Sequence, residues 1–546
     1  MTRRSVLFVI ALAIASFAAC GGHTRTSTNY DDLVGLFRDW RAFQPAPLSN
    51  GVPDYGVAAM SAQLKALGDY QRRLGAIDPS GWPIAQQVDY HIVRAEMNGL
   101  EFDHRVLKPW VNDPSFYTTF FAEESDQPAR EGNYARGGVD AWKYRWPLDA
   151  AAIAEITPGV RAIPALLTQA QANLTGDERD LWKYGIVDVR QQSADLAGFA
   201  AKLTDPATQE LRADVTRAQQ ATDAFVQWLE AQAPSKTGPS GIGVDAYDWY
   251  LKNVQLLPYT WRDEEQLMLR ELARAHAALT LEETRNAGLP PSMPIENADE
   301  FARRAQAAVT DYMAFLKDHD LLTIHDDMDG ALRAHAPTYT PAPREFFTEV
   351  DHHDPEVMRT HGYHWFDKAQ MVREPHASPI RRGPLLYNLF VTRTEGHATA
   401  WEELMLDAGM FDAHPRSREL VYVLLAERAA RALGDLRMQA RTYTLEDAAT
   451  FASKNTPRGW LSLQGQTVRG EQHLYLRQPT YGTSYLIGKI QIETLIAERR
   501  AQMGGGFTFR RFMDEFNAAG LIPISLIRWQ LTGQLSDPLR DVLTPR

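Results

Sequence analysis

From about Asp31 onward, apolar residues in this chain recur at steps of three and four, and the two-residue alternation of strands is scarce. A step of three or four is what a helix needs to turn one apolar face toward a core. Leu211, Val215, Ala218, Phe225 and Leu229 make one such stripe, and Phe301, Ala305, Ala308, Tyr312 and Phe315 make another. Asn297 and Glu300 precede the second at the spacing of an N-terminal cap, in which side chains satisfy the free amides of the first turn. A third helix is expected from Glu264 to Ala287, stopping at Gly288 with Pro290 and Pro291 to prevent continuation. No linker rich in Pro, Gly or Ser and no block of like charge divides this region. The pattern predicts an all-α fold: one large helical body over residues 31–546, with two lobes around a central cleft. At 44% hydrophobic residues, the chain can fill a core of that size.

The first thirty residues obey another rule. Arg3 and Arg4 precede an uncharged apolar run from Val6 to Ala19, too short to span a bilayer comfortably and ending in small residues. This is the pattern of a secretory signal over residues 1–19. Phe17-Ala18-Ala19 before Cys20 resembles a bacterial lipobox, with Phe where Leu is usual. Cys20 is the only cysteine, so it suits acylation, and no intrachain disulfide is possible. Residues 20–30 are small and polar and form a tether. The expected location is therefore outside the cytoplasm, anchored to the cell envelope by lipid at Cys20. Gly21 gives no retention signal of the aspartate type. A net charge of −12 argues against nucleic acid as a partner, since phosphate binding needs a basic face.

Residues 343–384 hold five of the fifteen histidines (His352, His353, His361, His364 and His376), together with Pro355, Pro375, Pro379 and Pro384. Irregular connections of this kind often carry functional groups on a rigid scaffold. Pro384 suits the first turn of a helix running to Gly409, on which Glu395, Thr399 and Glu402 share one face. His361 and His364, three apart, would share a face of a helix, and with Glu395 they form a His/His/Glu set of the kind catalytic zinc uses. Zinc is accordingly the candidate cofactor, the alternative being a cleft with none. His376 or His397 would be able to replace either histidine, although His397 lies in line with Phe390, Ala400 and Trp401. Glu402 or Glu374 is the candidate to activate water, and Tyr485 the candidate to steady an oxyanion. Arg359, Arg373, Arg381 and Arg382 suggest instead a basic pocket for a carboxylate, because guanidinium pairs bidentately with such groups. Arg359, Arg381 and Tyr475 are the ligand-binding candidates.

Two segments carry a family resemblance. Glu395-Gly396-His397-Ala398 resembles a Glu-Gly-Trp-Ala element, and Tyr475 to Tyr485 resembles a Tyr-x-x-x-Pro-Gly-Gln-Ala-x-x-Tyr element, with Gly488 following. Arg511 to Pro523 resembles a closing helix and turn. These are features of the bacterial domain-of-unknown-function 885 family, whose members look like helical zinc metallopeptidases. The resemblance implies an all-α, zinc-peptidase-like body and a peptide or small amide as substrate. The departures are specific. Where the family has His-Glu-x-x-Pro-Gly-His-His-x-Gln, the ungapped placement sets Met358-Arg359 on His-Glu and His364-Trp365 on His-His, with Gly362-Tyr363 and Asp367 at the other positions. The later Gly-Gln becomes Thr480-Tyr481, and a family histidine becomes Gln439. Methionine binds zinc poorly and arginine is no base near neutral pH. Three functions stay open: a divergent zinc-dependent peptidase or amide hydrolase, an inactive relative that binds a peptide or anion in the same cleft, and a structural or assembly lipoprotein.

Overall fold

The computed structural model describes residues 26–544. Cys20 and the signal before it lie outside the described residues. Among those described there are twenty-two α-helices and only two short ladders. Leu48–Ser49 pairs antiparallel with Val52–Pro53, and Phe120–Phe121 pairs parallel with Val139–Asp140. The fold is all-α.

The helices form where the apolar period said they would. The 211–229 stripe is buried on the helix Gln209–Gln232. Asn297 caps Ala298–Asp318 by accepting from the Glu300 amide at 2.9 Å. Phe315 is only partly buried there, and Leu316 takes the inward position. The third helix begins earlier than expected, at Trp261, because Thr260 and Asp263 form a reciprocal capping box, and it ends at Arg285.

Buried apolar side chains gather in two large clusters. One is built around the helices Ile84–Phe102, Trp261–Arg285, Ala298–Asp318, Val391–Asp407, Pro415–Gln439 and Tyr481–Met503. The other lies among Ala150–Asn173, Arg179–Lys202 and Gln209–Gln232. Ala150–Asn173 is by length and composition apolar enough to cross a membrane. Here it turns Ile156, Val160, Ile163, Leu166 and Leu167 into the second core. A smaller cluster joins Leu181 and Tyr184 to Val391, Tyr475, Tyr481 and Tyr485.

Residues 343–384 are more helical than their prolines suggest. Phe346–His353, Pro355–His361 and Tyr363–Arg373 are short helices, the second opened by Pro355 and the third divided from it by Gly362. The next helix begins at Val391, not near Pro384, because Tyr387 and Asn388 both take left-handed backbone angles (φ 54° and 51°).

Candidate metal centre

Gly362 breaks the chain between two helices, so His361 ends one and His364 opens the next. They do not share one continuous helix, yet their rings meet edge to face with centroids 5.0 Å apart. The helix Val391–Asp407 brings Glu395 to them. Ligand atoms of His361, His364 and Glu395 all lie within 4.8 Å of one another. Glu395 Oε2 is 3.4 Å from His364 Nε2 and 3.9 Å from His361 Nε2.

What surrounds the three residues fixes their orientation. Glu395 Oε1 accepts from Gln127 Nε2 at 3.0 Å and from the Tyr481 hydroxyl. Gln127 is itself pinned by Thr394, whose hydroxyl donates to Oε1 at 2.6 Å. His361 Nδ1 lies 2.9 Å from Glu402 Oε1, and Arg428 donates to both oxygens of Glu402, at 2.7 and 2.8 Å. A carboxylate on the far nitrogen of an imidazole is the usual second layer of a metal site. Arg428 Nη2 also lies 3.1 Å from His361 Nδ1, so that nitrogen is engaged by the Glu402–Arg428 pair and Nε2 is the ring nitrogen turned toward Glu395.

The two atoms facing each other at the centre, His364 Nε2 and Glu395 Oε2, are buried and make no hydrogen bond. Buried polar atoms are rarely left so, and a pair converging with a third donor suits a cation between them. The electrostatics agree. Burial and the neighbouring Arg428 push His361 below its ordinary value, which keeps it neutral. Burial opposes charge on His364, but Asp126 and Glu395 outweigh it and push the imidazole up to about 9. Burial likewise works against Glu395, and the two histidines overcome it and hold the carboxylate at about 2. The pocket therefore already favours positive charge between the carboxylates. Two nitrogen donors and one carboxylate oxygen fit zinc, which takes such a set in catalytic sites with a fourth position open.

Other sequence candidates are placed elsewhere. Glu402 has both oxygens held by Arg428 and is 0% exposed, so it positions His361 and is not free to activate water. Tyr485 lies beside Arg431 and Arg428, while the hydroxyl on the glutamate belongs to Tyr481. Tyr475 stacks on Tyr481 and donates to Glu471. Arg359 is buried against Asp351 and the carbonyls of His335 and Pro355. Arg381 is buried and committed to Asp89, Gln530 and two backbone carbonyls. Neither arginine is brought to the cluster. Glu374 pairs with Arg373 at the surface. His397 packs between Tyr363 and Trp401, and His376 accepts from the Ser378 amide.

Sequence reading missed Gln127, Tyr481, Arg428 and one more acid. Glu131, on the irregular segment that carries Gln127, is pushed up to about 7 by burial and by Asp126, and Glu395 contributes to the shift. Its hydrogen-bond donor is Ser125 at 2.8 Å, and no cation pairs with it among the described residues.

A family described as a bacterial protein of unknown function, DUF885, matches residues 45–382 and 364–531. The chain belongs to this family. Two solved structures share its fold. One is a candidate lipoprotein of unknown function from Shewanella oneidensis, 15% identical, with a TM-score of 0.66 over 92% of this chain and 98% of that one. The other is a candidate lipoprotein from Colwellia psychrerythraea, 14% identical, with a TM-score of 0.65 over the same shares. No curated protein matches the chain. This DUF885 member thus shares its fold with both solved structures over nearly their whole length.

Proposed function

We propose that this protein is a lipid-anchored envelope protein that binds zinc through His361, His364 and Glu395 and hydrolyses a peptide or related amide. The observation that carries the metal is the convergence of two buried ligand atoms that make no hydrogen bond, His364 Nε2 and Glu395 Oε2, 3.4 Å apart beside His361. When bound, zinc would supply Lewis acidity and an acidified water. The chain's own residues divide the remaining work. Glu402 and Arg428 hold His361, Gln127 and Tyr481 hold Glu395, and Glu131, which has no cationic partner among the described residues and feels the charge of Glu395, is the acid assigned to accept a proton. An acid with a pKa near the working pH is suited to that role. The lipid anchor rests on the Cys20 motif and on the lipoprotein descriptions of the two structural neighbours.

A second reading keeps the same pocket for binding alone. It is favoured by Arg359, which occupies the place of the family's glutamate in the sequence and is buried against Asp351. The experiment separates the two. The full chain, purified in detergent without chelator or His tag, is analysed for metal by elemental mass spectrometry beside Glu395→Ala. It is then incubated with a peptide library with and without chelator. The hydrolase reading expects one zinc per chain, lost in the variant, and chelator-sensitive cleavage. Metal without cleavage would leave the binding reading, and no metal after zinc is offered would overturn the zinc assignment and leave the pocket as a binding site alone.

A further inference from the structure

A cavity of about 320 Å³ is lined by parts of the segment 129–136 and walled by Tyr55, Trp110, Phe116 and Tyr387. The chain is bent to make it. The helix Ile84–Phe102 continues into a π-helical turn at Asp103–Leu107, which closes at Lys108 with a left-handed backbone (φ 44°). Opposite, Tyr387 and Asn388 are also left-handed, and Gly99 leaves the room for the Tyr387 ring. A methyl group on Gly99 would lie 2.3 Å from that ring.

Asp103 is the one carboxylic acid in the cavity lining, and it is only 9% exposed. Its Oδ1 receives a long hydrogen bond, 3.4 Å, from Asn133, and its Oδ2 receives none among the described residues. The charged and titratable neighbours pair elsewhere: the Tyr134 hydroxyl accepts from Arg477, and among the arginines of the lining Arg130 alone keeps one nitrogen, Nε, without a partner among the described residues. Arg136 donates to the Ala46 carbonyl at 2.8 Å, and Arg130 stacks on Phe121 and donates to the Glu123 carbonyl. His104 is bonded to Gln63 and kept neutral by burial. The hydroxyl of Tyr55 accepts from the Arg136 amide, that of Tyr387 from Gln44, and that of Tyr250 donates to the Tyr387 carbonyl. Among the described residues no cation pairs with Asp103. A buried carboxyl in that position either keeps its proton or waits for a positive group from outside. The walls select which positive group: aromatic faces favour an ammonium, and Tyr55 and Phe116 meet edge to face at 4.8 Å.

We propose that this cavity binds a primary ammonium group on a small apolar body, with Asp103 as the counter-ion and the aromatic rings as walls. The site is separate from the zinc cluster and does not depend on it. Burial pushes Asp103 up to about 8, so at neutral pH the empty cavity holds mostly the protonated acid. Entry of an ammonium breaks the carboxyl O–H bond, and that proton leaves to the buffer while the ligand keeps its own charge. Binding and proton release are therefore linked.

The probe is phenethylammonium, titrated calorimetrically into the full chain in detergent at pH 7 with EDTA present, so that no metal ligates the amine. Titrations in phosphate and in MOPS, which differ in ionisation heat and carry no primary amine, count the protons. Saturable binding with close to one proton released is expected. Asp103→Asn should weaken it at least tenfold, as should replacing the probe by 2-phenylethanol. Absence of saturable binding, absence of proton release, or equal binding of the alcohol would overturn the proposal. The last two comparisons use the unaltered chain, so the test stands even where the variant does not fold.

Discussion

Glu402 and Arg428 are 0% and 1% exposed and bonded through both carboxylate oxygens, so neither has a solvent alternative. Glu402→Gln would leave a buried guanidinium without its counter-ion and His361 without its orienting acceptor. Breaking a buried pair from one side destabilises by roughly 3–5 kcal/mol. Removing a carboxylate behind a metal-ligating imidazole weakens metal binding about 10- to 100-fold. Urea unfolding of the metal-free variant and zinc titration by competition with a chelating dye measure the two effects separately. Metal affinity equal to wild type would remove Glu402 from the site. At this scale the sequence revealed donor types and little else. His361, His364 and Glu395 were legible because imidazole and carboxylate chemistry is read from the residue itself. Gln127 was not: it lies 268 positions from Glu395 on a segment without regular structure, and an amide announces no metal. Tyr481 had one available signal, its place within the Tyr475–Tyr485 segment that carried the resemblance.

Between elements, the site depends on two helices that touch backbone to backbone. A methyl on Gly396 would lie 2.3 Å from Gly488 Cα, and one on Gly488 would lie 2.2 Å from the Thr392 carbonyl oxygen. These contacts are main chain, so no side-chain rotation relieves them. Val391–Asp407 carries Glu395 and Tyr481–Met503 carries Tyr481, so the glycine crossing sets the reach of the hydroxyl to the carboxylate. Gly488→Ala is expected to force the helices apart and to destabilise the chain by about 1–3 kcal/mol, the usual range for overpacking. It should also lower zinc occupancy, although residue 488 touches no ligand. Thermal unfolding and metal content check both, and a variant with unchanged midpoint would show that the crossing yields easily. The helices themselves were legible from apolar spacing. Their ends were less so, because Thr260, Gly362 and the left-handed pair Tyr387–Asn388 act through backbone geometry, which the apolar period does not encode.

Across the whole molecule, many acids are buried without full compensation, and this sets how stability responds to pH. Burial pushes Glu356 up to about 8, and Asp351, Glu264 and Glu427 each up to about 7. Such a group keeps its proton in the folded chain after the unfolded chain has lost it. Folded protein then binds more protons, and stability falls as pH rises from the unfolded value to the folded one. Buried histidines act oppositely. His91 and His104 are pushed down to about 3 and about 4, so they favour folding as pH rises, but only until the unfolded imidazole is neutral near 6.5. Glu395, Asp188 and Glu446, held at about 2, have given their full stabilisation above the ordinary carboxylate range and lose it only in acid. Between pH 6.5 and pH 8 the falling contributions therefore act without an opposing one, and His364, pushed up to about 9, adds to them. Metal-free protein is expected to lose stability steadily across that interval, by at most about 1.4 kcal/mol per pH unit for each group still titrating. Glu356→Gln should make the decline shallower, because the amide has no proton to lose. Urea midpoints for both chains in EDTA at several points of the interval decide the matter. A flat wild-type profile, or a variant that declines as steeply, would mean that Glu356 ionises in the folded chain as easily as it does in water.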